Sequence, residues 1–356
     1  MQNANNERYI FLLVDYKGYF SSKVISEYHL GGMDKDLLSG CFNRYGYKVT
    51  YLEFPDVDFR TDKFKGQYVL YTSSEDVGLE YKSYIEDICL GLELKGANLI
   101  PSFKYLRAHH NKVFMEILRD QMELNDVKNI SSKYFGTYSD VIRRVEQFQG
   151  TKVLKKSTSA GSAQVFLAEN SRQLKRTARK ISRSFYFRDL RDIPRWLKFN
   201  FFVKRKYDFC SKHRSKFIVQ NYVPHLEHDW KVLVYGDKYY VLKRANRKND
   251  FRASGSGDFT FEKQLPRGLL DFVEQIFSNM DVPMLSVDVA YDGKQFYLFE
   301  FQAIYFGTIT IQASDFYFVK ESDSWKIKEG KSVVEKEYAR SVVSYLEKRL
   351  CCECTL

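Results

Sequence analysis

Apolar strand-like runs alternate with helix-like segments through the first hundred residues, and this alternation limits the fold more than any other feature of the chain. RYIFLLVD at 8–15 is an apolar run bounded by charge and reads as a buried strand. YKVTYLEF (47–54) and QYVLYTS (67–73) are rich in β-branched and aromatic residues and read as two more. MDKDLLSGCFNRYG (33–46) reads as a helix stopped by Gly46, and YKSYIEDICLGLELKG (81–96) as a helix stopped by Gly96. The expectation is an N-terminal α/β domain over 1–105 with a largely parallel sheet. The first strand is followed by DYKGYF and not by GxGxxG, which disfavours a dinucleotide site there.

Beyond residue 105 the pattern changes. HHNKVFMEILRDQM (109–122) is helical, with Val113, Phe114, Ile117, Leu118 and Met122 on one side, and SDVIRRVEQF (139–148) is helical too. TKVLKK (151–156) is a strand entering the loop STSAGSAQ, and VFLAE (165–169) leaves it. KFIVQNYV (216–223), WKVLVYG (230–236) and KYYVLKRA (238–245) are successive strands, the last two joined at Gly236-Asp237. A helix at 265–280, a hairpin over 284–302 turning at Asp292-Gly293, and an amphipathic helix at 331–350 complete the chain. With 356 residues, 44% hydrophobic and 28% charged, two or three structural units with a sizeable core are expected, and wholesale disorder is excluded. The longest apolar run, Tyr9 to Val14, falls far short of the roughly 18–20 residues that span a bilayer. MQNANNER carries no basic region followed by an apolar one, so no secretory signal is expected and the expected location is cytoplasmic.

The net charge of +11 is localised: Ser171 to Lys216 holds 16 Lys and Arg against three Asp, and the rest of the chain is nearly balanced. Aromatic residues interleave this segment, among them Trp196, Phe199, Phe201 and Phe202. Two readings stand: a solvated basic face with aromatic core positions, or a docking surface for nucleic acid, phospholipid or acidic glycan. IPRWLKFNFFVKRK has the basic and aromatic mixture of an interfacial helix, without a clean helical period. Cys41, Cys89 and Cys210 are scattered and read as buried apolar residues. Cys351, Cys352 and Cys354 crowd the tail in poor zinc geometry, and reduced thiols agree with a cytoplasmic location.

Three elements carry chemistry. In the first, small residues let backbone N–H groups approach phosphate oxygens, and Lys155 at the strand end adds a point charge; no GK[ST] follows, so this is not a Walker A loop. In the second, DFRASGSGDF (250–259), Arg252 stands beside a Gly/Ser loop, an arrangement suited to a transferring phosphoryl group. In the third, Glu300 and Gln302 lie two apart on one arm of a hairpin and Asp288 on the other. Oxygen ligands from adjacent strands suit Mg²⁺, and acids flanked by Val287, Phe299 and Phe301 need a neutralising partner.

The order of these elements resembles the ATP-grasp superfamily, in particular carboxylate–amine ligases of the glutathione-synthetase and ribosomal-protein glutamate-ligase type. The likeness is diffuse over 1–105 and specific over about 109–312. NK at 111–112 looks like the family's helix-opening lysine, VLKKSTSAGSAQVFLAE like its phosphate loop, and FIVQNYV like its adenine hinge. DWKVLVYGDKYYVLKR resembles its D-x-R-x-x-V-x-G strand pair with Lys231 for Arg, and DVAYDGKQFYLFEFQAIYFGT its D…E-x-N metal hairpin with Gln302 for Asn. The fold so implied is an α/β (α+β) ATP-grasp fold: an N-terminal parallel domain (1–105), a first subdomain with the phosphate loop and basic segment (106–219), and a second with the metal hairpin (220–356), clasping ATP.

The resemblance also implies roles. Lys112 and Lys155, with Gly161 and Ser162 in the loop, contact phosphates; Gln220, Asn221, Tyr222 and Val223 present the hinge to adenine; Asp229 or Glu227 takes the ribose. Arg244 and Arg252 face the γ-phosphate and acyl-phosphate oxyanion, and Asp288, Glu300 and Gln302 hold Mg²⁺. The implied reaction activates a carboxylate as an acyl phosphate with ADP released, then joins it to an amine. A uronic-acid-containing cell-surface polysaccharide is one carboxylate the resemblance raises. The alternatives are an ATP-grasp kinase or non-ligating nucleotide binder, and a nucleic-acid binder using 171–216; that segment also offers a weak peripheral membrane contact. The intact set Lys155, Arg252 and Glu300 favours turnover.

Overall fold

Strand β1 (Arg8–Val14) is buried from Ile10 onward, as a strand covered on both faces must be. Ile10, Leu12 and Val14 enter one core, while Phe11 and Leu13 enter another on the opposite face. The computed structural model describes residues 8–26, 29–158, 164–184, 187–203, 212–248, 250–252 and 257–353. The chain forms two bodies: one comprises Met1–His109, Met122–Val127 and Leu226–Leu356, the other His110–Gln121 and Lys128–His225.

In the first body, β1 is followed by a short hairpin of β2 (Lys23–Ser26) and β3 (His29–Gly31), then α1 (Lys35–Arg44), β4 (Tyr47–Glu53), β5 (Tyr68–Tyr71), α2 (Glu80–Leu94), β6 (Asn98–Ile100) and α3 (Phe103–Ala108). The sheet order is β4-β1-β5-β6 and every neighbouring pair is parallel, which is the α/β arrangement expected over 1–105. The Asp34 side chain caps α1 by accepting from the Leu37 N–H. Gly46 and Gly96 follow α1 and α2 with φ of 79° and 80°, the left-handed backbone that ends a helix.

The second body holds α4 (Lys112–Gln121), β7 (Ser132–Phe135), α5 (Tyr138–Ile142), β8 (Lys152–Lys156), β9 (Val165–Ala168), α6 (Ser171–Ile181), α7 (Asp192–Leu197) and β10 (Phe217–Asn221). Its antiparallel sheet runs β7-β10-β8-β9. Leu154, Phe217 and Val219 on one sheet face pack with Leu174, Ala178 and Ile181 of α6 and with Val141 and Val145. Two expectations are corrected here. The helix expected over 139–148 stops at Ile142, and Val145–Gln147 forms a tighter turn that lets Phe148 reach the same core. On α4 the buried residues are Lys112, Met115, Glu116 and Arg119; of the expected apolar stripe, Val113, Phe114, Ile117 and Leu118 are half-buried and only Met122, just beyond the helix, is buried. Glu116 and Arg119 pair with each other, so their charges are buried together.

The chain then returns to the first body with β11 (His228–Tyr235), β12 (Lys238–Ala245), β13 (Phe259–Thr260), α8 (Leu269–Asn279), β14 (Met284–Tyr291), β15 (Phe296–Gln302), α9 (Ile309–Ala313), β16 (Phe316–Glu321), β17 (Ser324–Glu329) and α10 (Val334–Glu353). The order is β15-β14-β11-β12-β16-β17, with β13 on β12. The β16–β17 hairpin was not expected from the sequence, although Phe316 and Phe318 alternate inward along it. Helix α10 places Val334, Tyr338, Ala339, Val342, Val343 and Leu346 in the core that also holds Ile10, Leu12, Leu38, Phe42, Leu233 and Tyr240. That single core joins the parallel and antiparallel sheets of this body. Cys41 and Cys89 are buried and free, as expected; Cys210 lies outside the described residues. Among the described residues, no helix is long and apolar enough to cross a membrane.

Truncating Leu346, which is wholly buried, to Ala should cost about 3 kcal/mol or more. Leu94→Ala, at a site 80% exposed, should leave stability within about 0.5 kcal/mol. Denaturant unfolding of the two variants checks the difference.

Candidate active site

Opposed residues in an antiparallel sheet share a face, and every second residue along a strand returns to it. On β11, β12, β14 and β15 this rule brings together Asp229, Lys231, Arg244, Ser286, Asp288, Glu300 and Gln302. Asp229 lies opposite Arg244, Lys231 opposite Asp288, Asp288 opposite Glu300, and Ser286 opposite Gln302. A bulge between Asp288 and Val289 interrupts the β14–β15 ladder just beyond the carboxylate pair. The expected trio Asp288, Glu300 and Gln302 is therefore brought together on one face.

Asp288 has close cationic neighbours. Arg244 donates to both Asp229 oxygens at 2.6 and 2.8 Å, and its Nη2 lies 2.9 Å from Asp288 Oδ2. Lys231 Nζ donates to Ser286 Oγ at 2.9 Å and reaches Asp288 Oδ1 at 3.5 Å. Burial pushes the Asp288 carboxyl up, but Arg244 and Lys231 outweigh it and hold it below the usual carboxylate range. Asp229 moves the other way: burial raises it, Arg244 opposes, and the Asp288 charge raises it further. Three carboxylates against two cations leave this face with one net negative charge. Its oxygens from Asp288, Glu300 and Gln302 are hard donors of the kind Mg²⁺ takes.

The loop residue Arg252 is held by Asp250, with Nε 2.9 and 3.0 Å from the two carboxylate oxygens. Glu227 is exposed, and its carbonyl accepts from the Asn246 N–H at 2.8 Å. Both oxygens of Asp229 face Arg244, which distinguishes the two expected ribose ligands. Residues 253–256 lie outside the described residues, as do Gly161 and Ser162.

In the other body, Lys155 lies opposite Ile218 and Gln220 opposite Val153, so both side chains share the sheet face turned away from α6. Helix α4 meets that face. Gln220 Nε2 donates to Glu116 Oε1 at 3.2 Å and to Ser132 Oγ at 2.9 Å. Burial raises the Glu116 carboxyl against the opposing charges of Arg119 and Lys155. Lys112 opens α4, and its N–H donates to the Ser157 carbonyl at 3.0 Å. Asn111 Oδ1 accepts from Ser157 Oγ at 3.1 Å and Lys216 Nζ at 2.9 Å, which ties the start of α4 to the end of β8. In the hinge, the N–H groups of Asn221 and Tyr222 donate to the Ser131 and Thr151 carbonyls, and Val223 is buried.

Two groups were missed. Ser286 and the double role of Arg244 could have been found by continuing the i, i+2 polar spacing from the hairpin into the two preceding strands. Glu116 stands four residues after Lys112 and thus on its side of the helix, a spacing the apolar stripe concealed.

No protein-family profile and no curated protein matches the chain. Solved structures do. The D-cycloserine synthetase DcsG superposes with a TM-score of 0.55 at 12% identity, over 95% of this chain and 99% of that one. The ADP complex of purK, an N5-carboxyaminoimidazole ribonucleotide synthetase, gives 0.52 at 12% identity, over 87% of this chain and 74% of that one. The N5-carboxyaminoimidazole synthetase of Staphylococcus aureus gives 0.51 at 11% identity, over 90% and 80%. The likeness at these identities is one of fold: the chain has the ATP-grasp fold, a mixed α/β architecture with a four-stranded parallel sheet and antiparallel sheets of four and seven strands.

Replacing Arg244 by Ala should cost about 3–5 kcal/mol at neutral pH, because it leaves buried Asp229 without the guanidinium that pairs both its oxygens. Without the guanidinium, the folded state holds Asp229 protonated where the unfolded state has already released the proton. Stability of the variant should therefore fall as pH rises from about 4, the ordinary Asp value, toward neutrality. Unfolding measured across that range tests it; a deficit independent of pH would contradict this account of the pair.

Proposed function

We propose that the chain is an ATP-dependent carboxylate–amine ligase. The observation that supports this most directly is the placement of Asp288 opposite Glu300 and beside Gln302, on one sheet face of an ATP-grasp fold. Lys112 and Lys155 neutralise nucleotide phosphates, and the hinge from Gln220 to Val223 reads the adenine edge. Glu227 takes the ribose hydroxyls, since Asp229 is engaged by Arg244. Asp288, Glu300 and Gln302 would hold Mg²⁺, which would supply neutralisation of phosphate charge.

A substrate carboxylate oxygen attacks the γ-phosphorus; the bond to the β–γ bridging oxygen breaks and ADP leaves. Arg252 and the N–H groups of Arg244 not used by Asp229 and Asp288 stabilise charge on the transferring group. The amine nitrogen then attacks the acyl carbon, loses a proton and expels phosphate, leaving an amide. No side-chain nucleophile enters, so the chain's work is positional and electrostatic. The nearly neutral set of Lys231, Arg244, Asp229 and Asp288 keeps the sheet folded before substrate arrives.

Mg²⁺-ATP at about 100 times its Kd should stabilise the protein by about 2.7 kcal/mol, a shift of a few degrees. Lys155→Ala and Glu300→Ala should each lose that shift and lower ADP release by about a hundredfold or more. ADP release is then measured with uronic acids, amino acids and short peptides as carboxylate donors, each with and without an amine. A product lighter by one water than its two parts marks ligation. A phosphorylated product formed without any amine would mark a kinase, and no shift at millimolar nucleotide would overturn the proposal.

A further inference from the structure

The cationic segment has no part in the chemistry proposed above, yet it is highly ordered in its charge. On α6, Leu174, Ala178 and Ile181 are buried against the sheet. Arg172, Arg176 and Arg179 are exposed and recur at steps of four and three, which makes one stripe on the opposite side, and the exposed Arg183 follows just beyond the end of the helix. Among the described residues, no carboxylate forms an ion pair with any of these four. Like charges one helical turn apart repel, so folding alone does not account for the stripe. Arg176, Arg179, Lys180 and Arg183 line an open cavity of about 560 Å³, completed by Lys212 and His213.

A second feature adjoins it. Helix α7 continues without a break into a wider π-turn at Lys198–Phe202. Leu190, Ile193, Leu197 and Phe201, spaced by three, four and four, are 42–64% exposed, and Phe202 is 82% exposed. The wide turn sets Trp196 edge-on to Phe201 at 5.6 Å. The exposed Arg191, Arg195 and Lys198 interleave with these apolar groups. This segment is moored beside the cavity: Asp189 pairs with Arg214 at 2.9 Å, and the Ser184 N–H donates to the Lys212 carbonyl at 2.9 Å.

We propose that α6 and the exposed residues of 190–202 dock the protein on an anionic phospholipid surface. The α6 cations meet headgroup phosphates, while Ile193, Leu197, Phe201 and Phe202 enter the boundary between headgroups and acyl chains. Charge complementarity requires a polyanion, and the exposed aliphatic side chains decide which one. A nucleic acid or a soluble polyphosphate would use the arginines but offers nothing to Ile193 and Leu197, because bases bind by stacking on rings.

The test is co-sedimentation of the full chain with vesicles of phosphatidylcholine alone, or of phosphatidylcholine with phosphatidylglycerol. A duplex RNA oligonucleotide and inositol hexakisphosphate serve as competitors. Binding is expected to the anionic vesicles only, to weaken with salt, and to shift Trp196 fluorescence to the blue. Arg176→Glu with Arg179→Glu should lose more than about tenfold of it. Ile193→Ser, Leu197→Ser and Phe201→Ser together should do the same. All five sites are exposed, so unchanged unfolding midpoints would establish that these variants remain folded. Loss in the charge variant with full binding in the serine variant would overturn the proposal in favour of a soluble polyanion site. RNA binding without vesicle binding would overturn it in favour of a nucleic acid.

Discussion

One guanidinium, that of Arg244, allows two carboxylates to sit among apolar strands. The face it occupies is divided along its length. On β11 the face reads Asp229 and Lys231, then Leu233 and Tyr235; on β14 it reads Asp288 and Ser286, then Met284. The apolar half belongs to the core shared with β1 and α10, and the charged half carries the candidate site. Strands of eight residues are long enough to serve both, so site and core share the same backbone ladder. Any shift in register would move the acids and the core residues together to the wrong face.

The second body follows a comparable plan with different groups. One face of its sheet is apolar and covered by α6; the other presents Lys155 and Gln220 toward α4. There Glu116, Arg119, Gln220 and Ser132 form a linked polar group. Such a group holds the orientation of β10 more closely than dispersion contacts would, because each hydrogen bond has a direction.

Much of this was legible in the sequence where a period was clean. The parallel sheet over the first hundred residues follows from apolar runs separated by helices with glycine stops, and the grouping of Asp288, Glu300 and Gln302 follows from the two-residue spacing of Glu300 and Gln302 within a hairpin. The α4 face was not legible: its four apolar residues look like a core stripe, and only the partners of Glu116 and Arg119 on distant strands reverse the assignment. Nor was the Arg244 bridge, which depends on the register of three strands separated by up to sixty residues of chain. The wider turn after α7 hid the period of the exposed apolar residues for a similar reason, since a local change of pitch breaks any fixed-spacing count.

The first body is assembled from both ends of the chain, with most of the second body's sequence between them. During synthesis the parallel sheet emerges early together with α1, whose Leu38, Cys41 and Phe42 share the core of Ile10, Leu12 and Val14. Until α10 is made, that core still lacks Val334, Tyr338, Ala339, Val342, Val343 and Leu346. The segment His110–His225, whose sheet and helices close on their own core, has all its parts well before then. The nascent chain thus carries a finished second body together with a first body that still lacks part of its core, and it stays in that state until residues 226–353 have been translated.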